Sequence, residues 1–153
     1  MIRISDCAET RATFVNIPEF QRTFATPLKD LRPFVLGMLS LVPAADAAVQ
    51  IEQIVFDPVN LIGFLKTQGV VSTEGELHSV CISATSDQAA NLLIATLSDW
   101  IDFWFVRQTD EFRIFADHDE YTTIYSNNLQ TVAEIGSLLK SKGFREINGW
   151  LRA

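Results

Sequence analysis

Apolar residues recur three or four positions apart in four segments of the chain, which is the spacing of one face of an α-helix. Polar candidate caps precede these segments, and proline or glycine follows most of them. Asp57 before Pro58 is typical of an N-cap followed by proline at the first helical position. Thr85 and Gln88 match a capping box. The pattern therefore predicts helices over about residues 31–42 (after Asp30), 58–69, 86–100 and 128–142.

Other segments alternate between apolar and polar residues or are continuously apolar, which is typical of β-strands. Residues 101–108, 111–116 and 121–126 follow one another with short turns between them, so they should pair as antiparallel neighbours. The first of them is apolar on both faces, which predicts a central strand covered on both sides or by a partner. Residues 49–56 fit a helix or a strand, and their β-branched residues favour the strand. Further strands are predicted at 12–17, 76–84 and 144–151.

The second half of the chain thus reads β-α-β-β-β-α-β, without an internal repeat, a low-complexity segment or a linker. Apolar residues make up 48% of the 153 residues and charged residues 20%, which is ordinary for a globular protein. The 11 Phe and 3 Trp supply enough surface for a core. We predict a single α+β domain over residues 1–153, with an antiparallel strand meander in its second half flanked by helices.

The two cysteines, Cys7 and Cys81, form neither a disulfide framework nor a zinc motif. Cys81 lies in an apolar run and is expected to be a small buried side chain, whereas an exposed Cys7 would fit a reducing compartment. The first residues lack the pattern of a signal peptide. The longest apolar stretch is about 12 residues, too short to span a bilayer. We expect no contact with a membrane and a cytoplasmic location.

Charge is concentrated in one part of the chain. The net charge of −7 argues against broad nucleic-acid binding, which needs clustered lysine and arginine. Residues 99–120 hold seven acidic residues and two arginines, hence −5, among six aromatic residues. Carboxylates around an apolar anchor could capture a basic protein partner. The simpler alternative is that turns collect acidic residues and the aromatics are core. The candidate partner-binding residues are Asp99, Asp102, Asp110, Glu111, Asp117, Asp119, Glu120 and Trp104.

His118 stands between carboxylates in the predicted turn 117–120, which suggests a metal ligand or a general base. A metal site and a general base each need several side chains that meet at one point. Consecutive turn residues point in different directions, and His78, the other histidine, belongs to another predicted strand. We expect no metal, no cofactor and no catalytic residue. If His118 does lie among carboxylates, their negative charge should raise its pKa.

Three functions follow from these patterns. The first is a non-enzymatic acidic binding protein, such as an inhibitor or immunity protein that neutralises a nuclease toxin, because nucleases need positive clefts for phosphates. The second is an enzyme or small-ligand binder with an aromatic pocket near His118, to be tested first at His118, His78, Asp117 and Tyr121. The third is a subunit of a homo-oligomer that associates through the apolar strand around Trp104.

Overall fold

The computed structural model describes residues 1–6, 17–78, 80–107 and 112–152. The strands in these residues are β1 Ile2–Asp6, β2 Phe20–Ala25, β3 Ala47–Gln53, β4 Val80–Ala84, β5 Asp102–Arg107, β6 Arg113–Ala116 and β7 Tyr121–Ser126. The helices are α1 Leu31–Leu39, α2 Val59–Thr67, α3 Glu74–Leu77, α4 Ala89–Ser98 and α5 Leu129–Ser141. The strands form one antiparallel sheet in the order β1-β4-β3-β5-β6-β7-β2. The predicted α+β class is confirmed, and so is the meander flanked by helices.

The meander β5-β6-β7 occupies the centre and one side of the sheet. Trp104 lies opposite Phe115, and Phe115 lies opposite Thr123. β5 is the fourth of the seven strands, as its apolar sequence predicts. Because side chains alternate between the faces of a strand, this register fixes which residues share a surface.

One face of the sheet carries the main core. Phe103 and Phe105 of β5 project into the same apolar cluster as Ile114 and Ile124 of the next two strands. The long helices bury their apolar stripes in this cluster. The buried residues of α4 recur at helical spacing and are Ala89, Leu92, Leu93, Ala95, Thr96 and Leu97. None of the described helices is long and apolar enough to cross a membrane.

The opposite face has a smaller cluster, in which Trp104 packs against Ala48, Cys81 and Val106. Cys81 is fully buried, as expected, but it is disulfide-bonded rather than a free thiol. Pairing of β1 with β4 places Ser5 opposite Cys81, and this long-range register is not visible in the sequence. Cys7 and nearly all of the strand predicted at 12–17 lie outside the described residues.

Helix starts differ from the predicted caps. Asp57 does not cap α2, whose N-cap position is Pro58, and Thr85 does not cap α4, whose N-cap position is Gln88. Thr85 instead accepts a hydrogen bond from the Met1 amino group through its Oγ1 (2.6 Å) and donates one to Asp87 (2.5 Å). Local sequence therefore located these helices but did not identify their caps.

Two predicted strands were wrong in part. Residues 74–77 form the short helix α3, so β4 begins only at Val80. Residues 144–151 form no strand, and Glu146 makes a single bridge to Phe24. The backbone there pairs with backbone groups on the outer edge of β2. The amide of Ala25 donates to the Arg145 carbonyl, and the amide of Ile147 donates to the Thr23 carbonyl.

Candidate functional site

Three aromatic side chains of the meander lie on the sheet face opposite the main core. Trp104 of β5 meets Phe115 of β6 edge to face, with ring centroids 4.8 Å apart. Its ring also lies 5.5 Å from that of Tyr125 of β7. Tyr125 is buried, whereas Trp104 and Phe115 are only half-buried. We call Trp104, Phe115 and Tyr125 the aromatic face.

The turn between β6 and β7 carries carboxylates to one end of this face. We call residues 117–120 the acidic turn. The Asp117 Oδ1 atom accepts hydrogen bonds from the amides of Asp119 (2.9 Å) and Tyr121 (3.2 Å), which fixes the turn. Glu120 adopts a left-handed backbone conformation with φ 77°. The side chains of Asp119 and Glu120 are exposed to solvent.

His118 of the acidic turn binds Asp102 at the start of β5. The Asp102 Oδ1 atom lies 2.8 Å from the ring Nδ1 and accepts from the His118 amide at 2.7 Å. The ring Nε2 lies 3.6 Å from the Asp119 carboxylate. The hydrogen bond to Asp102, then the charges of Asp102, Asp119 and Asp117, raise the pKa of His118 against an opposing effect of burial. This confirms the expected direction.

The Asp102–His118 pair has the geometry of a histidine oriented by a carboxylate. The raised pKa keeps the ring protonated to higher pH than in an unperturbed histidine. His78 is exposed at the C-terminal end of α3. Among the described residues, no group of three or more His, Cys, Asp or Glu could hold a metal ion.

Arg152 covers part of the aromatic face. Its guanidinium lies 4.6 Å from the ring centroid of Phe115 and 5.1 Å from that of Trp150. Its Nη1 donates to the Asp117 Oδ2 atom at 2.7 Å, and its Nε donates to the Thr123 hydroxyl at 3.0 Å. We call Phe115, Asp117 and Thr123 the Arg152 site.

Residues 150–152 lie across β7 and β2. The Trp150 ring contacts the Tyr121 ring, with centroids 5.0 Å apart. The amide of Arg152 donates to the Gln21 side chain at 2.8 Å, and Gln21 donates back to the Arg152 carbonyl at 3.3 Å. Sequence analysis missed Arg152, because nothing in the local sequence indicates a contact 35 residues away in the chain.

Asp99 lies apart from this surface. It is 4% exposed, and its carboxylate accepts from the amides of Asn60 (3.1 Å) and Leu61 (2.7 Å) at the start of α2. Asp99 therefore replaces Asp57 as the acceptor that caps this helix. Asp110 and Glu111 lie outside the described residues. The structure thus brings Asp102, Asp117, Asp119, Glu120 and Trp104 together at one end of the sheet.

A cavity of about 350 Å³ lies between the end of α1 and the start of α4, on the other face of the sheet. Its lining is mainly apolar and includes Leu39, Phe105 and Arg107. None of the aromatic face, the acidic turn or the Arg152 site lines it.

The sequence matches no protein-family model, no curated protein and no solved structure. Function is therefore inferred from the aromatic face, the acidic turn and the Arg152 site alone.

Proposed function

We propose that this protein is a non-enzymatic binding protein that captures a basic protein partner with the aromatic face and the acidic turn. The observation that carries the proposal is a half-buried Trp104, packed on Phe115 and Tyr125 and adjoined by carboxylates at one end. An aromatic anchor supplies affinity when a partner desolvates it, and a charged rim steers the encounter.

The carboxylates of this surface differ in whether a basic side chain of the same protein pairs with them. Asp117 pairs with Arg152, and Asp102 pairs with His118. Asp119 and Glu120 face solvent, and the whole chain carries a net charge of −7. Steering of a cationic partner is therefore assigned chiefly to Asp119 and Glu120. Asp110 and Glu111, which lie outside the described residues, remain candidates from the sequence alone.

The class of partner follows from this charge. A protein whose function needs an exposed positive cleft would be recognised and blocked by a complementary acidic surface. Nucleases are such proteins, because their clefts hold phosphates. An inhibitor or immunity protein that neutralises a nuclease toxin is the form of the proposal that we favour.

The compartment is a separate part of the proposal. A cytoplasmic location was expected from the sequence, but the disulfide at Cys81 counts against it, since disulfides persist mainly in oxidising compartments. Thiol counting on protein alkylated directly in its source cells decides between the two. Two free thiols would favour the cytoplasm, and none would favour an oxidising compartment.

The test is affinity capture from source lysate with four baits. They are the wild type, Trp104→Ala, the pair Asp119→Asn with Glu120→Gln, and a control pair, Glu74→Gln with Glu76→Gln. The control removes two exposed carboxylates from α3 and so matches the change in net charge.

We expect the wild type and the control to retain the same basic protein, released by moderate salt, because surface electrostatics are screened. The two test variants should retain much less of it. Equal retention by all four baits, or no basic protein on the wild type, would contradict the proposal.

Self-association is the second candidate, because the same half-buried aromatic face could pack on another copy of the chain. Gel filtration at two concentrations tests it. A monomer at both concentrations would exclude this candidate and leave the face open for a different protein.

A further inference from the structure

We propose that the Arg152 site is an arginine subsite, in which an arginine side chain of the partner takes the place of Arg152. This inference rests on the proposed function and specifies the group that the surface recognises. It is drawn from the contacts that the protein makes with its own guanidinium.

The Arg152 site matches a guanidinium rather than a lysine ammonium. The planar group lies over the Phe115 ring while it donates through all three of its nitrogens. Nη1 donates to the Asp117 carboxylate, Nε donates to the Thr123 hydroxyl, and Nη2 donates to the Tyr121 carbonyl at 3.5 Å. An ammonium is a compact point charge, so it cannot stack on a ring and reach two separated acceptors in the same way.

Asp117 is held ready for this role by its own turn. Its Oδ1 atom is occupied by the amides of Asp119 and Tyr121, and its Oδ2 atom accepts from the guanidinium. Exchange of one arginine for another leaves the two turn hydrogen bonds intact. Preorganisation of this kind reduces the entropy that a ligand loses on binding.

The present occupant belongs to a segment that can leave without breaking the sheet. Residues 150–152 form neither helix nor strand, and Leu151 is 73% exposed. Their backbone is held by a reciprocal pair of hydrogen bonds with Gln21. Release of Arg152 breaks its hydrogen bonds and its contact with the Phe115 ring. An incoming arginine would restore the contacts of the guanidinium, which are those with Asp117, Thr123, the Tyr121 carbonyl and Phe115, but not the two backbone bonds with Gln21.

The Phe115 ring joins the subsite to the aromatic face. It lies under the Arg152 guanidinium and also meets the Trp104 ring edge to face. A partner that places an arginine in the subsite therefore brings its neighbouring residues onto Trp104. The arginine subsite and the aromatic face would then form one continuous contact with the partner.

The test is a calorimetric titration with two probes, N-acetyl hexa-arginine amide and N-acetyl hexa-lysine amide. The key variant is Arg152→Ala, which empties the subsite. Its control is Arg32→Ala, which removes the same charge from an exposed position on α1. Both variants make the chain more acidic by one unit, so a difference between them reports the subsite.

We expect Arg152→Ala to bind hexa-arginine about tenfold more tightly than Arg32→Ala does, because the internal competitor is gone. The gain for hexa-lysine should stay below about threefold. Equal binding of hexa-arginine by the two variants, or equal gains for the two peptides, would overturn the proposal. Adding Asp117→Asn to Arg152→Ala should abolish the gain, and a gain that persists would also overturn it.

Thermal unfolding shows whether Arg152→Ala is folded. Should it not be, Arg152→Lys serves instead, since it keeps the charge and weakens the hold of residue 152 on the site. Arg152→Lys should bind hexa-arginine about threefold more tightly than the wild type. Unchanged affinity would count against the subsite.

The subsite and the proposed function can fail separately. If lysate yields a basic partner that depends on Trp104 but binds Arg152→Ala no more tightly than Arg32→Ala, the subsite fails and the function stands. If hexa-arginine prefers Arg152→Ala but the wild type captures no basic protein, the function fails and the subsite stands.

Discussion

Asp99 and Asp119 differ in burial, and their roles differ accordingly. Asp99 is 4% exposed and accepts hydrogen bonds from the first turn of α2, whereas Asp119 is 78% exposed at its side chain. Both lie in the acidic stretch of the sequence, where nothing separates them by composition. The difference arises from contacts between positions about 40 residues apart, so the sequence could identify the stretch but not the role of each carboxylate.

The first prediction concerns these two residues. Asp99→Ala should lower the free energy of unfolding by about 2 kcal/mol, because the buried amide of Leu61 loses its acceptor. Asp119→Ala should change it by less than about 0.5 kcal/mol. Urea unfolding of both variants gives the comparison. Equal effects would show that Asp99 is not the cap of α2.

The second prediction concerns His118. Because its pKa is raised in the folded protein, the Asp102–His118 pair contributes stability that is complete below the ordinary histidine pKa of about 6.5. That contribution is lost as the pH rises through the pKa of the folded state. Asp102→Asn should move the NMR titration midpoint of His118 to lower pH and reduce the loss of stability that accompanies deprotonation of the folded state. An unmoved midpoint would contradict this cause.

Helix α5 contacts Arg22 of β2 at a glycine, Gly136. A Cβ atom at Gly136 would lie 2.6 Å from Cζ of Arg22, whose guanidinium is held by Glu146. At Gly63 of α2, by contrast, a Cβ atom would meet no described atom within 4 Å. A side chain at position 63 would therefore extend into open space.

The third prediction compares these glycines. Gly136→Ala should destabilise the protein by about 1–3 kcal/mol, because Arg22 has to move away from its partner. Gly63→Ala should stabilise it by about 0.5–1 kcal/mol, through helix propensity alone. Denaturant midpoints of the two variants test both signs. A stabilising Gly136→Ala would show that Arg22 relocates at no cost.

Elements with a strong local pattern were predictable from the sequence, and those made by distant contacts were not. The apolar stripe of α4 and the three strands of the meander follow from spacing alone. The sequence offers Asn127 or Asn128 as the cap of α5, and the cap is Asn128, whose side chain accepts from the amides of Gln130 and Thr131. Residues 144–151 instead complete the edge of β2, which no periodicity within that segment could reveal.

At the scale of the whole molecule, the sheet separates two functions of the same strands. The side chains on one face of β5 belong to the main core. On the other face of β5, Trp104 lies beside the carboxylates of the meander. The sequence predicted that acidic and aromatic residues share this region. It could not predict that Arg152 pairs with Asp117 or that His118 pairs with Asp102, because both ion pairs depend on the folded register.

The fourth prediction and most direct test of the binding surface is the rate of association and dissociation with the basic protein recovered by capture. Asp119→Asn with Glu120→Gln should lower the association rate about fivefold and change dissociation little, because long-range charge acts on the encounter. Trp104→Ala should leave association within about twofold and speed dissociation tenfold or more, because an anchor acts in the complex. Wild-type values for both rates in both variants would contradict the assignment of this surface.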